Sequence, residues 1–178
     1  DSSISDDFRR DARNATIIAL LIIFFYIFLR FRKWQYGLGA LLAMLHDVII
    51  VLSIYSIGSL FLPFTLEVDQ AFIAAILTVI GYSINDTVVV FDRIREYLGI
   101  YKKEDEKEVI NKALNSTLSR TINTSASTFV VLLSIFILGS DSIRGFTFAL
   151  MVGVVVGTYS SIFIATPSVI DFSKSVKN

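Results

Sequence analysis

The chain has no cysteine and a single histidine, His46. Disulfides and thiolate-ligated metals are therefore excluded, and no histidine cluster can form around a cation. Charge is scarce: 18% of the residues are Asp, Glu, Lys or Arg, and the two signs cancel. Without a basic surplus the chain has no electrostatic footprint for nucleic acid, and it carries no basic-aromatic motif. Nucleophile elbows, phosphate loops and paired-histidine zinc motifs are missing as well. An enzyme is not expected, nor is a metal or an organic cofactor. The two prolines, Pro63 and Pro167, stand at the ends of apolar runs, where breaking a helix costs little.

What the chain has is apolar residues, 54% of 178, with a mean hydropathy of +0.67. Soluble domains run at roughly 45–50% apolar and about 25% charged. Five apolar runs are long enough to cross a bilayer, which takes about 20 residues: 14–31, 36–61, 71–91, 117–138 and 146–170. Each is apolar all round, where a soluble helix would show one stripe. A β-barrel would show short alternating segments, and none are visible. The expected fold class is an all-α polytopic membrane protein with five transmembrane helices.

Lys and Arg orient the spans. Twelve of the sixteen fall on one side: Arg30, Arg32, Lys33, Arg93, Arg95, Lys102, Lys103, Lys107, Lys112, Arg120, Lys174 and Lys177. Arg9, Arg10, Arg13 and Arg144 fall on the other. The first set is assigned to the cytoplasm, so the chain starts outside and ends inside. A start at Asp1, outside, with no signal sequence, predicts that a span and an outside domain precede these residues. Residues 1–13 then read as the end of that outside region and a polar lead-in helix, 14–170 as the five-helix domain, 92–116 as a cytoplasmic loop and 171–178 as a cytoplasmic tail. In the loop, Glu108 and Lys112 have the favourable helical spacing, and Val109, Ile110, Ala113 and Leu114 form one stripe. That stripe reads either as a surface helix lying on the spans or as a contact for a cytoplasmic partner.

The polar residues inside the runs are where function is sought. Asp86 lies about fifteen residues into its run, at mid to inner depth. A carboxylate there costs at least ~2.5 kcal/mol to insert. His46 and Asp47 lie about ten residues from the cytoplasmic end of theirs, and Arg120 near the cytoplasmic start of the fourth, followed by Asn123, Thr124 and Ser125. The third and fourth spans are antiparallel, so Asp86 and Arg120 are expected to approach at similar depth. They read either as a structural ion pair or as a proton-binding carboxyl with its modulator: desolvation favours the neutral acid, and a nearby guanidinium favours the charged one. His46 and Asp47 point about 100° apart, so at most one is expected to face that layer, as part of a proton path or as packing. Asn85 and Asn123 read as interhelical hydrogen-bond groups, and Gly81, Gly153 and Gly157 as packing glycines, the last two in a GxxxG stripe or a sliding surface.

These residues carry a family resemblance. The run from Gly81 through Asn85, Asp86 and Asp92 to Glu96 is the most specific part. Leu45-His46-Asp47-Val48, Leu118-Ser119-Arg120-Thr121-Ile122-Asn123-Thr124-Ser125, Arg9-Arg10-Asp11-Ala12 and Arg30-Phe31-Arg32 support it. Across nearly its whole length the chain resembles the SecF family, including the SecF half of fused SecDF chains, related to the resistance-nodulation-division (RND) transporters. The resemblance implies a bacterial inner-membrane location, SecD and the Sec channel as partners, preprotein as the substrate and protons as the coupling ion. It implies Asp86 and Arg120 as the proton-linked pair, and these five helices as spans two to six. The competing expectations are a passive assembly module for the translocon and a fragment of an RND-type small-molecule exporter.

Overall fold

The computed structural model describes residues 2–175, with the side chains of residues 10, 11 and 13–173. The side chains of Arg9 and Lys174 and the whole of Lys177, used above for orientation, lie outside it. Among the described residues the fold is entirely helical: α1 (Ser2–Phe31), α2 (Trp34–Gly58), α3 (Gln70–Ile100), α4 (Glu106–Leu138), α5 (Asp141–Ser160), a π-helical segment (Ser161–Ala165) and α6 (Thr166–Ser175). Five helical stretches are long and apolar enough to cross a membrane, the fifth being α5 with its continuation.

Short polar signals set the helix ends. Asp69 caps α3 by accepting from the Phe72 amide at 2.8 Å. Asp105 caps α4 through the amides of Lys107 and Glu108. Both are the side-chain caps that free amides at a helix start require. α1 ends on Arg32 in the left-handed region, φ 54°, whose amide returns to Phe28 O at 2.8 Å. That closure costs a non-glycine residue about 1–2 kcal/mol.

The segment 92–116, read above as a loop, is helical except for the turn 101–105. α3 continues to Ile100 and α4 begins at Glu106. Polar residues do not stop a helix once it leaves the bilayer, and here an apolar stripe supports it. Val109, Ile110 and Ala113 are buried against the core. The stripe therefore lies on this chain's own helices.

α5 is the central element. Half of its apolar window is buried, against 11% for α1 and for α4. It packs on α2, α3 and α4. Its closest approach is to α3 at the GxxxG stripe. A Cβ on Gly153 would overlap the Val79 side chain, and one on Gly157 would lie 3.0 Å from the Ser83 Cβ. Gly81 packs against nothing: a Cβ there meets no atom within 4 Å. Where α1 gives way to α2, Phe31, Tyr36 and Phe91 form an aromatic cluster. Arg30 pairs with Asp92 at 3.0 Å, tying α1 to α3.

Candidate functional site

The apolar seam of α3 is interrupted by three buried polar residues, Ser83, Asp86 and Thr87. Their 3–4 spacing puts them on one face. The close α3–α5 contact at Gly157 draws α5's next turn, with Thr158 and Ser160, onto that face. Two buried carboxyls result, one on α2 and one on α3.

Asp47 is 0% exposed. One of its oxygens accepts from Ser83 Oγ at 2.6 Å and from Ser160 Oγ at 2.8 Å. The other lies 3.1 Å from His46 Nδ1. Two hydroxyls and the His46 ring thus surround one carboxyl, the setting a buried carboxylate needs; Ser160 Oγ also lies 3.1 Å from Gly157 O. His46 itself sits at the edge of the bundle, its side chain 28% exposed, with its ring 6.2 Å from that of Tyr159. Of the two neighbours, Asp47 faces inward.

Asp86 is 4% exposed and less well supplied. Its Oδ2 is met by Ser125 Oγ and Thr158 Oγ1, both at 3.4 Å, beyond the usual 2.5–3.0 Å for O–H···O. Those two hydroxyls also bond to each other. Thr158 Oγ1 reaches Val154 O at 2.8 Å as well. Each hydroxyl has one proton to give, so the protons offered to Asp86 are contested. Tyr82 Oη closes the network, donating at 3.5 Å to Ser125 and at 3.4 Å to Thr128. Chemically, Asp47 is set up to accept. Asp86 has room to carry its own proton and donate it to one of the two oxygens.

Arg120 does not pair with Asp86; no ion pair joins them among the described residues. Helical phase explains this. Ser125 faces Asp86, and Arg120, five residues earlier, points about 140° away and sits about 7.5 Å nearer the start of α4. The residues that share Ser125's face are Thr121 and Thr117, both buried. Arg120 is exposed and lines a cavity of about 260 Å³ with Val89, Asp92, Arg93, Glu96, Ser116 and Thr117. Asn85, Asn123 and Thr124 are exposed too. Asn85 lies on the exposed surface of α3, and Asn123 and Thr124 lie with Arg120 and Ser127 on that of α4.

Thr158 and Ser160 were not singled out in the sequence. The signal that could have found them is the run Thr158-Tyr159-Ser160-Ser161 inside the last apolar segment, where hydroxyls need acceptors. Ser83 sits in the conspicuous Asp86 run without a role assigned. No metal-binding group of three or more His, Cys, Asp or Glu occurs among the described residues.

The chain has close relatives. Residues 1–175 match the family "Protein export membrane protein SecD/SecF, C-terminal". The chain is 54% identical to protein translocase subunit SecF of Rhodothermus marinus over 94% of its own length and 54% of the relative's. It is 44% identical to protein translocase subunit SecDF of Brucella abortus over 96% of its length and 22% of that chain. A crystal structure of SecDF in a super-membrane-facing form superposes with a TM-score of 0.84 at 40% identity, covering 96% of this chain and 22% of that one. The chain spans about half the length of the SecF relatives it matches. On the profile match and these identities, an all-helical membrane bundle with carboxyls buried at its centre belongs to the SecD/SecF family of protein-export membrane proteins.

Proposed function

We propose that the chain is the membrane-embedded half of a protein-export subunit, in which Asp86 takes up and releases protons while export proceeds. The observation that carries this is the inequality of the two carboxyls: Asp47 is met at 2.6–3.1 Å, Asp86 only at 3.4 Å by hydroxyls that also bond to each other. A carboxyl kept only to lock helices would be served as Asp47 is. A carboxyl that changes protonation needs partners able to reverse donor and acceptor, as Ser and Thr hydroxyls can. Arg120 acts on Asp86 from the cytoplasmic side, at a distance, without a contact ion pair. His46 and Asp47 hold the neighbouring polar layer.

The partner we assign is SecD. Relatives include a chain named SecDF, and α4 presents Arg120 and Asn123 outward at membrane depth. Polar groups facing acyl chains are costly; against a partner's polar face they become hydrogen-bond groups. The same reading puts the chain in the bacterial inner membrane, which the family supports, with the start of this segment outside, which the loop charges support. The Sec channel and preprotein belong to the same reading.

The test is Asp86→Asn in the full complex with SecD, reconstituted in vesicles. Loss of proton flux and of proton-dependent export, with assembly intact, is the expected result. If both survive, the subunit is a passive assembly module.

A further inference from the structure

Two hydroxyls two residues apart on one helix serve two carboxyls on two other helices. Thr158 meets Asp86 on α3, and Ser160 meets Asp47 on α2. Residues two apart on a helix point about 200° apart. A turn of α5 about its axis therefore cannot improve one contact without disturbing the other. The same helix is held in register by Gly153 against Val79 and Gly157 against Ser83, and Ser83 is itself a donor to Asp47.

Directly after Ser160 the helix changes form. Ser161–Ala165 is π-helical, a wider turn often found at functional sites. Thr166 Oγ1 donates across the widened turn to Ser161 O at 3.1 Å. Pro167 follows with no amide hydrogen to give. The regular ladder of α5 is thus interrupted directly on the C-terminal side of Ser160.

We propose that Thr158 and Ser160 are positioning residues through which α5 couples Asp47 to Asp86, with the π-helical segment as the joint that lets α5 respond. The coupling rests on the reading above that Asp86 changes protonation. As the neutral acid, Asp86 donates where it formerly accepted, and Thr158 Oγ1 then accepts from it while giving its own proton to Val154 O. The change passes along α5 to the Ser160–Asp47 bond. Each carboxyl is thereby sensitive to the state of the other without touching it.

Backbone hydrogen exchange on the complex with SecD tests this. The segment 158–166 is followed, with 71–80 of α3 as the internal reference. Asp86→Asn and Asp47→Asn are each expected to speed exchange of 158–166 about tenfold, the effect of weakening one bond to a charged group, with the reference unchanged. Thr158→Val and Ser160→Ala should do the same, and Thr158→Ser and Ser160→Thr should restore the parent rate. Ser160→Ala should add nothing in an Asp47→Asn background, because it acts through Asp47. Unchanged exchange in Asp47→Asn, or a full additional effect of Ser160→Ala in that background, overturns the proposal. Proton flux measured on the same samples separates the two ideas. Flux that survives Asp86→Asn removes the proton reading and the coupling with it, whereas flux lost in Asp86→Asn with unchanged exchange at 158–166 removes the coupling alone.

Discussion

Gly157 on α5 and Ser83 on α3 are in direct contact: a methyl group on Gly157 would stand 3.0 Å from the Ser83 Cβ. Ser83 Oγ in turn lies 2.6 Å from Asp47. The packing seam and the polar site therefore share an atom group, and damage to one is felt in the other.

Three glycine substitutions should separate along that seam. Gly153→Val overlaps Val79 and should destabilise the fold by about 1–3 kcal/mol, the range for overpacked cores. Gly157→Ala should cost less and disturb the Ser83–Asp47 bond. Gly81→Ala has open space around it and should be neutral or slightly stabilising. Thermal unfolding in detergent ranks the three, and a Gly81→Ala protein as unstable as Gly153→Val would contradict the packing described.

Removing a hydroxyl from Asp47 should be costlier than removing one from the surface of the spans. Ser83→Ala or Ser160→Ala strips a fully buried carboxyl of a donor at 2.6 or 2.8 Å. The expected loss is about 1–2 kcal/mol, above the ~0.6 average for hydrogen bonds within membranes. Ser134→Ala, whose hydroxyl only returns to Val130 O on its own exposed helix face, is the comparison. Equal losses in denaturant titration would show that Asp47 does not depend on its serines.

Arg120→Gln should leave the stability of this domain within about 0.5 kcal/mol, as for exposed positions generally, because Arg120 makes no contact with Asp86. Its effect should be seen in the complex, as weakened association with SecD or reduced export. A large loss of stability in the domain alone would restore the contact ion pair that the geometry lacks.

The Arg30–Asp92 pair is about half exposed on both sides. Asp92→Asn should cost under about 1 kcal/mol, and the cost should shrink as salt is raised. A loss insensitive to ionic strength would mean that Asp92 contributes through something other than charge.

The sequence made the spans legible because a bilayer demands long apolar runs, and Asp86 stood out because charge is scarce inside them. The stripe Val109, Ile110, Ala113 was legible by its period, although the full extent of α3 and α4 was not, since polar residues continue a helix into water without any signal. The direction of Arg120 depends on helical phase relative to Ser125, and no single sequence fixes that phase. Thr158 and Ser160 carry weak signals because hydroxyls are tolerated in spans through bonds to their own backbone, as Ser134 shows. Only tertiary contact distinguishes a hydroxyl that serves a carboxyl from one that serves its own turn.

α3 runs unbroken from Gln70 to Ile100, about 45 Å at 1.5 Å per residue, well beyond a ~30 Å hydrocarbon core. Asp86 lies near its middle. Any tilt of α3 about that midpoint moves its two ends in opposite directions. A tilt of ~10° there carries Ile100 about 4 Å one way and Gln70 about 4 Å the other.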